Sequence, residues 1–581
     1  MQTDNYWNRA ARRRAGRRTI LKGMGVASTG AAALALIGCG DDDSGSGSTA
    51  TAATGTSAAT GTTAATQAAQ PKVGGTLRWA WQGTPHLDMH QDSISGAQNI
   101  VAAAYNRLLR FKDDAQLPEP DLAKTMPEQP DKTTYIFKLQ EGVKFHDKAP
   151  VNGRVMKASD VAFSLNRART DSPAFIHRGD LINIDKIEAV DDNTLRITTK
   201  TPDAIILSTL AGYQFFVLAE ETLNTFPDLK TDKATIGTGG FVVDSAATDT
   251  GAILSRHPNY WREGKPYLEK LQQIVIGDQW SQFLAGNLDV CAIAAEIQVG
   301  FKSFDDVLAD AKIKAYTYEG LSYGSAQGHF MNNGAPPFND LRVRQAVNLI
   351  LNRQDNLEYG WPIGAQPSIA LGYNQVNAGF GLPEKEVAAL PGYRKDKRKE
   401  DVADGLALLA AAGYSKDKPL EFEIMAWSVP HRTIGIDEIQ LAAEMYQRES
   451  GGVMKVSVKG LEWGTWKAAE ANHEFQMISS AYSMGVDAHD ALVKMYSSTG
   501  GRNFAQFKDP AFDAKLEVEK AEFDVEKRKE LVKELVRYIN DPSRIANAWT
   551  GTGPAPAASL ATIKNRPTIM DAGKVDQLFY G

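Results

Sequence analysis

Gly320-Leu321-Ser322-Tyr323-Gly324 has the G-x-S-x-G spacing of a serine nucleophile elbow. That chemistry needs a strand, a sharp turn and then a helix, which lift the serine oxygen above a sheet. A strand-like run, Lys314–Glu319, precedes the motif, but Ser325-Ala326-Gln327-Gly328-His329-Phe330 after it has no helical pattern. Ser322 also needs a partner base, which the sequence does not place. A secreted serine hydrolase is therefore disfavoured. His86 and His90 stand four apart, the spacing that lets one helix face share a metal ion. Pro85 beside them argues against a helix there. Asp487, His489 and Asp490 form a second cluster in a loop-like setting. His473-Glu474 lacks the second histidine of H-E-x-x-H, and Gly237-Thr238-Gly239-Gly240 lacks the GK[ST] of a P-loop. Cys291 has no redox or metal partner in sequence and reads as a buried thiol. No catalytic constellation survives, and the expectation is a protein that is not an enzyme and holds no metal or cofactor.

What remains is aromatic. Trp81, Tyr213, Trp427, Trp463 and Tyr482 are large flat side chains of the kind that wall clefts, since they offer contact area at low entropic cost. Each also suits an ordinary core, as do Trp79, Phe215, Phe216 and Trp466. The 581 residues are 43% hydrophobic and 23% charged, which excludes collagen-like, wholly disordered and many-span membrane chains. A formal net charge of −6 gives no basic excess, so nucleic acid is not an expected partner. The two cysteines, Cys39 and Cys291, cannot build a disulfide scaffold.

The N-terminus carries an address. A basic stretch from Arg9 to Lys22 leads into an apolar run from Gly23 to Cys39, shorter than the roughly 20 residues a spanning helix needs. Arg17-Arg18-Thr19-Ile20-Leu21-Lys22 looks like a twin-arginine export signal, and Leu36-Ile37-Gly38-Cys39 looks like a lipobox. Residues 1–38 then form a signal peptide and Cys39 is the expected lipidation site. The alternative is an uncleaved anchor; both place the body outside the cytoplasm. Seven basic residues and one acid fall within 1–38, so the remainder carries 57 basic and 69 acidic residues, net −12. An acidic body is not drawn to anionic lipid by charge, so lipid chains must hold it. Ser44–Gln70 contains only Ser, Gly, Thr, Ala and Gln. Residues 39–70 thus read as a lipidated cysteine plus a flexible linker, with a reach of roughly 30 Å for the Ser44–Gln70 part.

The elements that follow mix strands and helices irregularly, which predicts α/β lobes with mixed sheets rather than a barrel or repeat array. Thr76–Trp81, Thr133–Leu139 and Asn193–Thr198 have strand patterns. Ser159-Asp160 is expected to cap a helix reaching Arg169, and Asn339-Asp340 a second. Asp509-Pro510 opens a long helical region to about Asn540.

Several blocks, in order, carry a resemblance. They are Gly74-Gly75-Thr76-Leu77-Arg78, Ala104-Tyr105-Asn106-Arg107-Leu108-Leu109-Arg110 and Gly142-Val143-Lys144-Phe145-His146-Asp147 with the Ser159–Leu165 run. Thr238-Gly239-Gly240-Phe241 with Asn259-Tyr260-Trp261, and Pro337–Ala346, continue it. Together they resemble the extracellular solute-binding proteins of the peptide/nickel family, family 5, which serve ABC importers. The resemblance implies a two-lobe periplasmic-binding-protein-like α/β fold with mixed sheets and a hinge. Lobe one would be 71–327 with the tail 547–581, and lobe two 328–546. It implies a small solute as ligand, most simply a peptide, with oligosaccharide, nickel chelate or a sensing role as alternatives. It also implies ABC permease subunits as partners, a lipid-anchored extracytoplasmic location and a monomer. Arg432 in Trp427-Ser428-Val429-Pro430-His431-Arg432 matches an arginine that such a site places on a ligand carboxylate. In Ser480–Gly485, Tyr482 takes an aromatic position, while Gly485 replaces an aspartate expected for the ligand's ammonium; Asp487 lies two residues on. The expected contact set is Trp81, Gln82, Tyr213, Trp427, Arg432, Trp463, Tyr482 and Asp487.

Overall fold

The computed structural model describes residues 71–580 apart from 82–86, 92–94, 113–116, 173, 248–249, 277–278, 293–312, 321–324, 361–365, 428–433, 484–486, 553–554, 565–568 and 571. The signal peptide, Cys39 and the linker therefore lie outside the described residues. Strand β1 (Thr76–Trp81) follows a Gly74-Gly75 turn in which both residues take positive φ, and a Cβ on Gly75 would meet the Tyr580 ring at 2.9 Å. A short pair, β2 (Leu109–Phe111) and β3 (Pro118–Pro120), comes next. An antiparallel layer follows: β4 (Glu128–Asp131), β5 (Thr134–Lys138), β6 (Ile184–Asp191) and β7 (Thr194–Thr199). β5 and β7 are the expected half-buried strands, with Tyr135, Phe137, Leu195 and Ile197 turned into a core.

β8 (Phe241–Ala247), β9 (Gly251–Arg256), β10 (Lys270–Val275), β11 (Val290–Ala292) and β12 (Ile313–Gly320) continue the chain. β13 (Ser325–Met331), β14 (Leu420–Trp427), β15 (Met454–Leu461), β16 (Met477–Ser483) and β17 (Asn547–Thr552) make a separate sheet. The tail adds β18 (Ala555–Leu560), β19 (Ile563–Lys564), β20 (Ile569–Met570) and β21 (Phe579–Tyr580). Sheet one runs β20-β12-β18-β11-β1-β10-β9-β8, and sheet two runs β15-β14-β16-β13-β17. Both mix parallel and antiparallel pairs.

The chain passes from sheet one to sheet two between β12 and β13, and returns between β17 and β18. β13 starts at Ser325 and β17 ends at Thr552, so the changeovers fall a few residues from the expected 327/328 and 546/547. Because β12 leads into a second strand and not a helix, Gly320–Gly324 lacks the strand–turn–helix of a nucleophile elbow; Ser322 itself is outside the described residues.

The helices bear out the capping arguments with two differences. Asp340 accepts from the Arg342 N–H at 2.9 Å and opens Leu341–Ile350. The helix Ala158–Ala168 begins before the expected cap, because Asp160 acts from its first turn: it accepts from the Lys157 backbone N–H at 2.8 Å and from the Arg154 guanidinium. The region after Asp509 is two helices, Pro510–Lys520 and Val525–Ile539. Asp524 breaks it by accepting from the Glu526 and Lys527 N–H groups and starting the second helix.

Gly237–Gly240, the glycine-rich motif, is a buried turn. A Cβ on Gly237 would stand 2.2 Å from the Ala104 carbonyl, so only glycine fits. Two histidines hold it. His146 accepts from the Gly237 N–H through Nδ1 at 3.3 Å and donates through Nε2 to the Gly239 carbonyl at 3.1 Å. His257 donates from Nδ1 to the same carbonyl at 3.2 Å, with the two rings edge-on at 4.8 Å. Burial, then the neighbouring ring, lowers the His146 pKa to about 3; burial also lowers that of His257, with Asp147 opposing. Their folded pKa values lie below the unfolded value near 6.5, so the unfolded chain binds more protons in between and stability falls as pH drops below about 6.5. For His146 the slope is about 1.4 kcal/mol per pH unit down to about pH 3. Urea midpoints measured from pH 7 to 4.5 should fall, and His146→Gln should fall less steeply; equal slopes would show that the pair does not sense acid.

Candidate functional site

Parallel strands expose their carboxyl ends together, and open α/β sheets bind ligands in the crevice beyond those ends. β1 runs parallel to β10 and β11, and ends at Trp81 opposite Val275. In sheet two, β14 runs parallel to β15 and β16. Trp427 ends β14 opposite Leu461, the last residue of β15, and Trp463 opens the helix Trp463–Ala471 two residues later. Tyr482 is the penultimate residue of β16, and Asp487 caps the helix Ala488–Tyr496 beyond it. Five of the eight expected contact residues thus lie at, or just past, the carboxyl ends of parallel strands. Trp427 is half-buried against the sheet-two core, and Tyr213 is half-buried in the turn Tyr213–Phe215 of the sheet-one side. Gln82 and Arg432, and the side chains of Trp81, Trp463 and Tyr482, are outside the described residues. Trp79, Phe215, Phe216 and Trp466 are core.

Asp487 sits in a buried charge network. Its carboxylate takes the Arg528 guanidinium in a fork, through Nη1 at 2.9 Å and through Nη2, and accepts from the His489 N–H at 2.8 Å as helix cap. Arg528 Nε binds Glu519 at 2.7 Å, and Glu519 binds His489 Nδ1. The side chains of this quartet are at most 9% exposed. Burial opposes ionisation of Asp487, but the Arg528 charge and its hydrogen bonds prevail and the pKa is lowered. Burial likewise opposes the His489 imidazolium, but hydrogen bonding and charge from Glu519 prevail and the pKa is raised. The cluster seen in sequence is thereby spent internally, with Asp490 facing Lys494 at 3.8 Å. Among the described residues no group of three ligating side chains could hold a metal ion. His90 lies in a turn, and its Nδ1 accepts from Arg167 at 2.7 Å.

This network floors a cavity of about 260 Å³. One wall comes from the β3–β4 region and the Ala204–Ser208 segment, with Leu117, Met126 and Leu207; the other comes from Phe380, Phe523 and Val525. The Arg528 guanidinium stands 5.4 Å from the Phe380 ring centre. Lys520 O accepts from the Ala204 N–H at 2.9 Å beside it, and Phe523 packs against the core of the β4–β7 layer. Among the described residues, Asp487 is the one expected contact residue that the cavity includes. Arg528, Phe380 and Phe523 were not foreseen. The available signal was Arg528 itself, a charge on the apolar stripe Val532-Leu535-Val536-Ile539 of its helix.

Removing one member of a buried ion pair strands the other. Arg528→Ala should therefore cost about 3–5 kcal/mol of stability. Denaturant unfolding followed by circular dichroism measures it, and a loss below about 1 kcal/mol would mean water reaches the network.

Four findings from known proteins bear on this geometry. The profile for bacterial extracellular solute-binding proteins, family 5 (middle), matches residues 118–504. The chain is 25% identical over 455 residues to the periplasmic oligopeptide-binding protein OppA of Escherichia coli, covering 74% of this chain and 78% of that one. It is 26% identical over 456 residues to the heme-binding protein A of Haemophilus influenzae, with 74% and 78% covered. Its fold matches that of the periplasmic binding protein DppA from Helicobacter pylori in complex with the peptide STSA: TM-score 0.70, 21% identity, 88% of this chain and 98% of that chain. The two sheets are the lobes of a periplasmic-binding-protein-like fold, and the chain belongs to the bacterial extracellular solute-binding proteins of family 5.

Proposed function

We propose that this protein captures a small peptide or peptide-like solute between its lobes and hands it to an ABC permease. The observation that supports this reading is the placement of Trp81, Trp427, Trp463 and Tyr482 at, or just past, the carboxyl ends of parallel strands in two sheets joined by two changeovers. The changeovers act as the hinge, and closure gains affinity from contacts made by both lobes at once. The likeness to OppA and to peptide-bound DppA supports a peptide.

Arg432 binds the solute carboxylate through its guanidinium fork, and the aromatic side chains enclose the remainder. Asp487 is committed to Arg528, so it serves a solute ammonium only by giving up that pair. Cys39 carries the lipid, residues 39–70 tether the body, and the acidic body works as a monomer beside the membrane. The twin-arginine pattern supports export by that route.

Native mass spectrometry of the purified protein should show one solute per chain. Titration calorimetry with that solute should show Arg432→Ala weakening binding by about 2–5 kcal/mol. An unchanged Kd would remove Arg432 from the site, and catalytic conversion of the solute would end the binding-protein reading. Cys39→Ser should move the protein from the membrane fraction to the soluble one, because a body of net −12 is not drawn to anionic lipid by charge; retention in the membrane fraction would favour an uncleaved anchor.

A further inference from the structure

The lobes touch at a turn outside the expected contact set. Lys520 ends the helix Pro510–Lys520 of the second lobe, and its carbonyl accepts from the Ala204 N–H of the first lobe at 2.9 Å. That carbonyl is one of the groups a helix leaves without an internal partner at its carboxyl end. Lys520 Nζ also stands 4.0 Å from Asp203 Oδ2, and the Asp203 side chain is 4% exposed. Among the described residues no other cation pairs with that carboxylate, so the charge facing this buried acid comes from the opposite lobe. Three residues on, Phe523 is half-buried against the core of the β4–β7 layer.

The first-lobe side of this contact is fixed from within its own lobe. The Tyr135 hydroxyl donates to the Asp203 carbonyl at 2.6 Å, the Asn183 amide donates to Asp203 Oδ2 at 2.8 Å, and Asp203 Oδ1 accepts from the Ile205 N–H at 3.2 Å. Parting the lobes leaves those bonds intact, but it breaks the bond to Lys520 and unseats Phe523. Water takes over a parted hydrogen bond at little net cost. An ion pair 4.0 Å apart gains little beyond what burying its charges costs. An apolar ring returned to water, by contrast, loses its burial outright. Phe523 therefore carries most of the hold, and Lys520 sets its register. The cavity alongside has walls from both lobes, with Leu207 on one side and Phe523 on the other.

We infer that the turn from Lys520 to Phe523 is a clasp that holds the lobes closed with or without solute, and so sets in part how tightly solute is bound. The inference rests on the reading that the lobes close on a solute. The chain itself supplies every group in the clasp, so no bound molecule is needed to form it. The contacts are few, so opening stays within thermal reach and solute can enter. Apparent affinity scales with the fraction of molecules in the binding-competent arrangement. A clasp that raises the closed fraction therefore raises affinity without altering the solute's own contacts.

The test uses protein refolded from guanidinium chloride, with native mass spectrometry confirming that no solute remains, and hydrogen exchange read at single amides. The Ala204 N–H reports the clasp. The Ala211 N–H, bonded to the Leu207 carbonyl at 3.2 Å within the same lobe, reports local fraying. The expected result is a protected Ala204 in the solute-free protein, and a roughly tenfold loss of that protection in Phe523→Ala with Ala211 unchanged. Small-angle X-ray scattering should show the solute-free variant expanded relative to the parent. Should Phe523→Ala fail to fold, Phe523→Leu takes its place, with a smaller loss in the same direction. Ala204 exchanging at the free rate in the parent overturns the inference. So does a variant that keeps full protection, loses it equally at both amides, or shows no expansion. Neither readout involves a solute, so failure of the clasp leaves the capture reading standing, and failure of that reading appears instead in the solute titration.

Discussion

Arg528 carries its charge where water hardly reaches, and it stays charged because two carboxylates share it. Asp487 takes one side of the guanidinium and Glu519 takes the other. Three helices meet through that side chain: Ala488–Tyr496 through its cap, Pro510–Lys520 through Glu519, and Val525–Ile539 through Arg528 itself. Helix packing in the second lobe is tied to an electrostatic requirement as well as to apolar area. A buried fork of this kind tolerates little displacement, since each partner lost leaves a charge in low dielectric. The cap of the helix that follows β16 is therefore held from behind. The same cap follows directly on β16, so the network fixes the strand's carboxyl end from the helix side.

Short-range signals were legible in the sequence. The alternation in Thr133–Leu139 and Asn193–Thr198 and the Asp340 cap each rest on interactions within a few residues, and the structure keeps them. Two local predictions missed by small margins for physical reasons. Asp160 caps from inside the first turn through Arg154 and Lys157, and Asp524 restarts a helix within a run that reads as continuous. The parts that were not legible depend on distant partners. The union of Asp487 with Arg528 spans 41 residues, and the bond from Arg353 to Trp549 spans 196. No pattern along the chain announces such pairs, beyond the oddity of a charge on an apolar stripe. The family blocks supplied the two-lobe architecture, which periodicity alone did not.

The expected contact residues show the same division. Their places at strand ends follow from local pattern and from the family blocks, and the pairing within each sheet keeps them there. The role of Asp487 does not follow, because its chemistry is decided by Arg528, and a carboxylate free in sequence is engaged in the fold. His489 and Asp490, which have the residue types of a metal site, are likewise turned to Glu519 and Lys494.

Sheet one is completed by strands that lie more than two hundred residues beyond its other members. β12 pairs with β18 and β20, β11 pairs with β18, and the Tyr580 hydroxyl donates to the Thr76 carbonyl at 2.8 Å. Strands far apart in sequence must therefore meet before the inner edges of β11 and β12 are covered. A chain that lacks β18 would leave β11 and β12 with an open sheet edge, the kind of surface on which chains aggregate.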